Sequence, residues 1–150
     1  MKTVTLILMV AVITAFSAVQ DKFTDLVDIS IKINDTLAYD SINEVKANLK
    51  EMKKIIDENL AKDEKFHDSF VEIGKTLEIT SNKSKISDLR KGMLDVSTAM
   101  IDIAKEIKPK GYYEIHCPMH PGSWLNNSKK VLNPYEGSRM RTCGYVKETY

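Results

Sequence analysis

The chain has 150 residues, a length that suits one domain with a single hydrophobic core. Its 22 basic residues nearly balance its 21 acidic residues, and the formal net charge is +1. This balance excludes the strongly basic class of nucleic-acid-binding proteins, and it provides no general attraction to an anionic membrane surface. Partners must therefore be inferred from local sites, and nucleic acid is not expected among them.

The N-terminus predicts export. Met1 and Lys2 precede an apolar run over residues 4–19, which ends before the polar Gln20. A positive charge, an apolar stretch and small residues near its end make up a secretory signal peptide. We therefore predict a signal peptide over residues 1–18, and a periplasmic or secreted protein with no other membrane contact. The run is shorter than the roughly 20 residues of a spanning helix, and an uncleaved anchor is the alternative.

Residues 21–108 have the pattern of a helical bundle. Between Phe23 and Ile107 there is no proline and there are only two glycines, which favours helices with short connections. Four stretches repeat mainly apolar residues at helical spacing: Phe23, Leu26, Val27, Ser30, Ile33 and Leu37; Ile42, Val45, Leu49, Met52, Ile56 and Leu60; Phe66, Phe70, Ile73 and Leu77; and Ile86, Leu89, Met93, Val96, Met100, Ile103 and Ile107. We predict an all-α fold, an antiparallel helical bundle of about four helices.

Local patterns refine the ends of these helices. Residues 29–33 also alternate as a strand would, so a strand is the alternative for this part of the first helix. Ser41 and Glu44 form the pattern of a capping box at the start of the second helix. Asp63 is placed to cap the start of the third helix, because its carboxylate can accept from free backbone N–H groups.

Residues of metal-ligand type within the bundle are predicted to be structural. Met52, Met93 and Met100 lie on the apolar stripes, where methionine usually fills gaps in the core. His67 follows the apolar Phe66 but lies off the main stripe. We therefore predict a half-buried or surface position for His67, and we place the metal ligands of this chain elsewhere.

Residues 109–150 differ in character from the bundle. They hold all four prolines, four of the six glycines, the only tryptophan and five of the six tyrosines. Helical spacing disappears, and Pro109 and Gly111 end the last helix. We predict an irregular C-terminal loop region, with one short hairpin at most, that packs on the bundle through Trp124 and the tyrosines as part of a single domain.

Two segments of this tail concentrate soft metal ligands. The first reads His116-Cys117-Pro118-Met119-His120-Pro121, and the second contains Met140 and Cys143. Thiolates, thioethers and imidazoles together prefer Cu(I), Ag(I) or Zn(II) to Mg²⁺ or Ca²⁺, and thioethers favour Cu(I) over Zn(II). We predict a metal-binding loop for copper as Cu(I), with zinc or silver as alternatives. The candidate ligands are Cys117, Met119, His120, Met140, Cys143 and His116.

Two alternatives stay open for the same residues. In an oxidising compartment, Cys117 and Cys143 would form a disulfide that staples the tail, and the chain would be a helical protein-interaction module without metal. A tetrahedral zinc site could use both cysteines with His116 and His120, although this leaves the two methionines unexplained. No paired carboxylates, nucleophile elbow or phosphate-binding loop accompanies these residues, and we do not predict an enzyme.

The tail also resembles a known family. The matching residues are Cys117-Pro118-Met119, Trp124-Leu125, Asn133-Pro134-Tyr135, Gly137, Met140, Cys143-Gly144 and Val146-Lys147-Glu148. This pattern is similar to a bacterial family of exported domains of unknown function, which occur alone or fused to periplasmic adaptor subunits of copper and silver efflux systems. The first segment is also similar to the start of the heavy-metal-binding motif of copper transport proteins. In the last helix, Asp88-Leu89-Arg90 resembles the same exported family.

The resemblance implies periplasmic binding of copper or a similar soft metal. Its matched ligands are Cys117, Met119, Met140 and Cys143, whereas the two histidines are candidates from ligand chemistry alone. Other matched positions are expected to shape the loop: Trp124, Asn133, Pro134, Tyr135 and Gly137. The chain departs from the family pattern at residues 120–123, which are compressed and include an added histidine. The expected function is that of a copper chaperone, buffer or efflux accessory, whose partner is a metal-efflux or metal-delivery protein.

Overall fold

The computed structural model describes residues 20–120 and 122–150, apart from the side chain of Asn59, and between residues 2 and 19 it describes the backbone alone. The helices are α1 (Lys2–Ala38), α2 (Ile42–Ile55), α3 (His67–Ser81) and α4 (Ile86–Ile107). The strands are β1 (Tyr113–Cys117), β2 (Gly122–Asn126) and β3 (Tyr145–Thr149). A π-helical turn, Ile56–Leu60, continues α2, and a 3-10 turn, Gly137–Arg139, lies between β2 and β3.

Two sequence predictions involve residues outside this description. The signal peptide predicted over residues 1–18 lies outside the residues whose side chains are described, and Pro121 of the predicted metal-binding loop lies outside the described residues altogether. Both stay predictions. Within the part of the chain that is described, no helix is long and apolar enough to cross a bilayer.

The prediction of an all-α fold is wrong. Residues 109–150, predicted as an irregular loop region, contain a three-stranded antiparallel sheet in the order β2-β1-β3. The sequence predicts at most a hairpin here and misses the third strand. The reason is exposure: β3 is exposed along almost its whole length, with only Val146 half-buried. A strand without a buried face has no need of the apolar–polar alternation by which strands are recognised, and β3 does not show it.

The four predicted helices are present, and each packs against the next along the chain, with α4 also contacting α1. The core is formed by the predicted stripes, including the three methionines: Phe23, Leu26, Val27, Ile33, Leu37, Val45, Leu49, Met52, Ile56, Leu60, Phe66, Phe70, Ile73, Leu77, Leu89, Met93, Val96, Met100, Ile103 and Ile107. Residues 29–33 belong to α1, so the helical interpretation of that segment is correct. His67 is exposed, as predicted.

Helix starts follow the sequence signals only in part. Ser41 directly precedes α2, but its side chain makes no capping hydrogen bond, so the predicted capping box is wrong. The backbone N–H of Ser41, which Glu44 would have to bind, already donates to the carbonyl of Thr36 at 3.1 Å. Asp63 is not the N-cap of α3 either, since Phe66 holds that position and no side chain caps the helix; its Oδ1 accepts from the backbone N–H of Lys65 at 3.0 Å and of Phe66 at 2.7 Å in the turn before α3. These bonds close the turn that leads into α3.

The sheet joins the bundle through β2, which packs against α4 and α1. Leu125 of β2 enters the core of the bundle. On the opposite face of the sheet lies a second, smaller cluster, here called the tail core, which consists of Ile115, Cys117, Trp124 and Tyr135. One side of the sheet therefore faces helices, and the other side is covered by the chain between β2 and β3.

The two glycines of the bundle provide a test of this packing. A Cβ at Gly92 of α4 would lie 2.0 Å from Oγ1 and 2.8 Å from Cβ of Thr80. We expect Gly92→Ala to lower the free energy of unfolding by about 1–3 kcal/mol through overpacking, measured by urea denaturation. Gly74→Ala is the matched control, because its nearest contacts lie at 3.7 Å and alanine is favoured over glycine in helices by up to about 1 kcal/mol. Equal losses at both sites would contradict the packing described here.

Candidate metal centre

The two predicted thiol ligands lie together at one end of the sheet. Cys117 is the last residue of β1, and its side chain is fully buried in the tail core. Cys143 precedes β3 and is half-buried. The two Sγ atoms are 3.1 Å apart, and both cysteines are free thiols. They form a hydrogen-bonded dithiol with one sulfur inside the protein and the other near the surface.

The position of Cys143 depends on Asn133, which is completely buried. The Asn133 Nδ2 donates to the carbonyl of Cys143 at 2.9 Å. Its Oδ1 accepts from the backbone N–H of Tyr135 at 2.9 Å and of Glu136 at 3.1 Å. The Asn133 side chain thus binds two N–H groups of the turn that follows it, and it fixes the backbone of Cys143, ten residues further along the chain. The structural role predicted for Asn133 has this physical basis.

Trp124 and Tyr135 form the wall of the tail core around Cys117. Their rings meet edge to face, with centroids 5.7 Å apart. The hydroxyl of Tyr135 donates to the carbonyl of Ser123 at 3.0 Å, which joins the loop to β2. Buried aromatic rings with a satisfied polar group are typical of rigid cores. The two residues therefore hold the loop against the sheet.

Arg90 of α4 ties the loop to the bundle, and the sequence assigns it no role. Its Nε donates to the carbonyl of Pro134 at 2.8 Å, and its Nη2 donates to the carbonyl of Leu37 at 2.9 Å. The same guanidinium forms an ion pair with Asp40 in the turn between α1 and α2. The hydrogen bond from Arg90 contributes to holding the pKa of Asp40 below its ordinary value, against the opposing effect of partial burial.

Gly137 lies against this guanidinium. Its φ is +54°, in the left-handed region, and a Cβ there would lie 1.9 Å from Nη2 of Arg90. The position therefore favours glycine for two reasons, backbone conformation and space. A second arginine completes the junction, since Nε of Arg141 donates to the carbonyl of Ala38 at 2.9 Å. The end of α1 is thus held by two arginines from different parts of the chain.

The dithiol is electrostatically asymmetric. Burial of Cys117 opposes its ionisation, but hydrogen bonds from the Cys143 thiol, from the backbone of His120 and Met119 and from Asn133 outweigh burial and lower its pKa. The N–H of His120 lies 3.4 Å from this sulfur. The pKa of Cys143 is raised, chiefly because its thiol donates to Cys117. The pKa of Cys117 is thus lowered and that of Cys143 raised, so Cys117 is the easier of the two thiols to ionise.

The two candidate histidines lie apart from the dithiol. His116 precedes Cys117 in β1, so its side chain points to the opposite face of the sheet. There its Nδ1 is 3.0 Å from Oγ of Ser123, and its ring meets Tyr145 edge to face. His116 and Cys117 are adjacent in the sequence, but side chains alternate along a strand, so the two lie on opposite faces of the sheet.

His120 approaches the thiols through its backbone rather than its ring. The imidazole stacks on Tyr135, with centroids 5.5 Å apart, and its Nδ1 is 3.4 Å from Oε1 of Glu136. With these two residues and Arg90 it lines a cleft of about 640 Å³ beside the loop. His120 therefore contacts the Cys117 sulfur with its backbone N–H and not with its ring.

The two candidate methionines flank the dithiol. Met119 follows Cys117 by two residues, and its side chain is 69% exposed. Met140 is half-buried, and its carbonyl accepts from the N–H of Cys143 at 3.0 Å. Among the residues that the structure describes, no three His, Cys, Asp or Glu side chains form a group that could hold a metal ion. A soft ion at this site would have the two cysteine sulfurs as its protein anchors and a methionine sulfur as an additional ligand.

Comparison of the chain with protein-family models, with curated proteins and with solved structures finds no match. The resemblance of the tail to exported copper-associated domains therefore stays a prediction from the residues that carry it.

The asymmetry of the dithiol predicts two separate ionisation steps in the reduced protein, measured by the ultraviolet absorbance of the thiolate. Cys143→Ala removes the donor, and we expect the pKa of Cys117 to rise. Cys143→Ser keeps a hydroxyl donor and should keep the pKa of Cys117 low. A variant with serine at both positions provides the tyrosine background. An unchanged pKa of Cys117 in Cys143→Ala would contradict the hydrogen-bonded pair.

The lowered pKa of Cys117 also makes the stability of the protein depend on pH. Since ionisation of Cys117 is easier in the folded state, the stability contributed by Cys117 is present above the unfolded-state pKa and is lost as the pH falls through the folded-state pKa.

Proposed function

We propose that the chain is an exported protein that binds a soft metal ion, Cu(I) in the first place, through Cys117 and Cys143. The observation that carries the proposal is the pair of free thiols, with sulfurs 3.1 Å apart, and the lowered pKa of Cys117 supports it. The thiolate is the form in which cysteine binds metals. Export rests on the predicted signal peptide over residues 1–18.

The thioether of Met119 is proposed as a third ligand. It lies on the same turn as Cys117, and its exposed side chain is free to rotate toward an ion. A neutral thioether beside thiolates favours Cu(I) or Ag(I) over Zn(II). The zinc alternative receives less support, because the ring of His116 faces the other side of the sheet and Nδ1 of His120 lies beside Glu136.

The accessibility of the site fits transfer rather than permanent storage. Met119 is exposed and Cys143 is half-buried, whereas Cys117 is fully buried. An incoming partner ligand could therefore reach the ion from the exposed side before the buried thiolate releases it. This supports a role as chaperone, buffer or efflux accessory, which exchanges copper with a metal-delivery or efflux protein. The proposal includes no catalytic step.

One observation favours a second candidate, a disulfide-stapled interaction module. A disulfide requires sulfurs about 2 Å apart, and the 3.1 Å between Cys117 and Cys143 is a short movement from that distance. Oxidation would join the loop covalently to the end of β1 and would consume both metal ligands. The two candidates are therefore mutually exclusive states of the same pair of thiols.

The proposal is tested by anaerobic titration of the reduced protein with Cu(I) against a chromophoric chelator, with Zn(II) in parallel. We expect one Cu(I) per chain, a weaker response to zinc, and loss of binding when both cysteines are replaced by serine. Met119→Leu should lower the Cu(I) affinity about tenfold, the equivalent of about 1.4 kcal/mol, with little change in stability. Met93→Leu is the matched control, since this methionine is buried in the bundle and should keep full affinity.

Absence of competition for either ion by the fully reduced protein would contradict the proposal and leave the disulfide-stapled module as the better account. Equal Cu(I) affinity in Met119→Leu and Met93→Leu would remove the role assigned to the Met119 thioether but leave the dithiol in place.

A further inference from the structure

We propose that the Cys117–Cys143 dithiol also binds trivalent arsenic, taken up as arsenous acid. This rests on the proposed function, because the ligands are the same two sulfurs, and it adds a second chemical class of ligand. The observation that carries it is the short distance between these sulfurs, 3.1 Å. Different soft ions require different distances between two bound sulfurs, so this distance discriminates among them.

The distance between two sulfurs bound to one atom depends on the bond angle at that atom. Two sulfurs bonded at about 2.3 Å to one atom lie about 4.6 Å apart in a straight arrangement, about 3.8 Å apart in a tetrahedral one and about 3.3 Å apart at a right angle. Two-coordinate Cu(I) is linear, whereas trivalent arsenic carries a lone pair and forms three bonds at angles close to a right angle. The Cys117–Cys143 pair matches the last of these geometries. Cu(I) needs wider sulfurs in either geometry, since a three-coordinate ion with Met119 as third ligand places them about 4.0 Å apart at angles of about 120°.

The short distance is a property of the fold. In the β1–β3 register His116 pairs with Tyr145, which brings the chain just before β3 alongside the end of β1. Gly144 lies so close to β1 that a Cβ there would be 3.2 Å from the carbonyl oxygen of His116. Cys143 is held on both sides, by its N–H to Met140 and by its carbonyl to Asn133. The backbone on both sides of the pair is therefore fixed, so wider sulfurs require rotation of a cysteine side chain, whereas arsenic binds the pair at close to its present distance.

The binding step balances without an oxidant. The sulfur of Cys117 forms a bond to arsenic as one hydroxyl group leaves, and the sulfur of Cys143 displaces a second hydroxyl group. Two arsenic–oxygen bonds break and two arsenic–sulfur bonds form. The two thiol protons leave with the hydroxyl groups as two water molecules, and the third hydroxyl group stays on arsenic. Arsenic remains trivalent and both sulfurs remain reduced.

The experiment is titration of the reduced full-length protein with sodium arsenite, alongside the Cu(I) titration. Trp124 is the only tryptophan of the chain and packs in the tail core with Cys117, so its fluorescence should report binding. Intact mass gives the number of arsenic atoms per chain. We expect one arsenic per chain, and an affinity at least about 100-fold weaker in Cys143→Ser, because the second attachment is intramolecular in the native chain. Met119→Leu should change the arsenic affinity less than twofold while it weakens Cu(I).

The outcomes separate the two proposals. Binding of Cu(I) without binding of arsenite would overturn this inference and leave the proposed function standing. Equal arsenite affinity in the native chain and in Cys143→Ser would overturn the two-sulfur attachment. Failure of both ions to bind, with two free thiols per chain verified by a thiol assay, would overturn both proposals together.

Discussion

The buried side-chain amide of Asn133 fixes the loop between β2 and β3 by hydrogen bonds, and the short distance between the Cys117 and Cys143 sulfurs depends on these bonds. It donates to the carbonyl of Cys143 and accepts from two backbone N–H groups of its own turn. A buried polar group left without partners costs about 1–3 kcal/mol. Loop conformations that satisfy this amide are therefore strongly preferred, and they place the Cys143 sulfur beside that of Cys117.

The helical bundle provides the fixed support for this loop. β2 packs on α4, and the guanidinium of Arg90 joins α4 to the loop at Pro134 and to the end of α1 at Leu37. Only 16% of the Arg90 side chain is exposed, so its hydrogen bonds are little weakened by competing water. A planar guanidinium holds several acceptors in a fixed arrangement. These contacts fix the bundle, the sheet and the loop relative to one another, and this arrangement determines the distance between the two sulfurs.

The helices and the thiols could be predicted from the sequence, whereas the sheet and the histidines could not. Each helix buries one face, so its apolar residues repeat with helical spacing. The residues of β1 alternate between apolar and polar, as a strand would, but a stretch of five residues is too short to distinguish a strand from a loop. Only the strand shows that His116 and Cys117 lie on opposite faces of the sheet. Arg90 is marked in the sequence only by the family resemblance, and its role was missed because its partners are carbonyl groups 44 and 53 residues away along the chain. Backbone carbonyls are present at every position, so a residue that binds them leaves no pattern in the sequence.

In the proposed site, sulfur atoms from Cys117 and Cys143 hold the ion, without the imidazoles beside them in the sequence. X-ray absorption spectroscopy at the copper edge, on the reduced protein loaded with Cu(I), measures the neighbours of the ion directly. We expect a shell of sulfur atoms at about 2.3 Å, and the same spectrum in a variant that replaces both His116 and His120. A shell dominated by nitrogen, or a spectrum unchanged when both cysteines are replaced by serine, would contradict it.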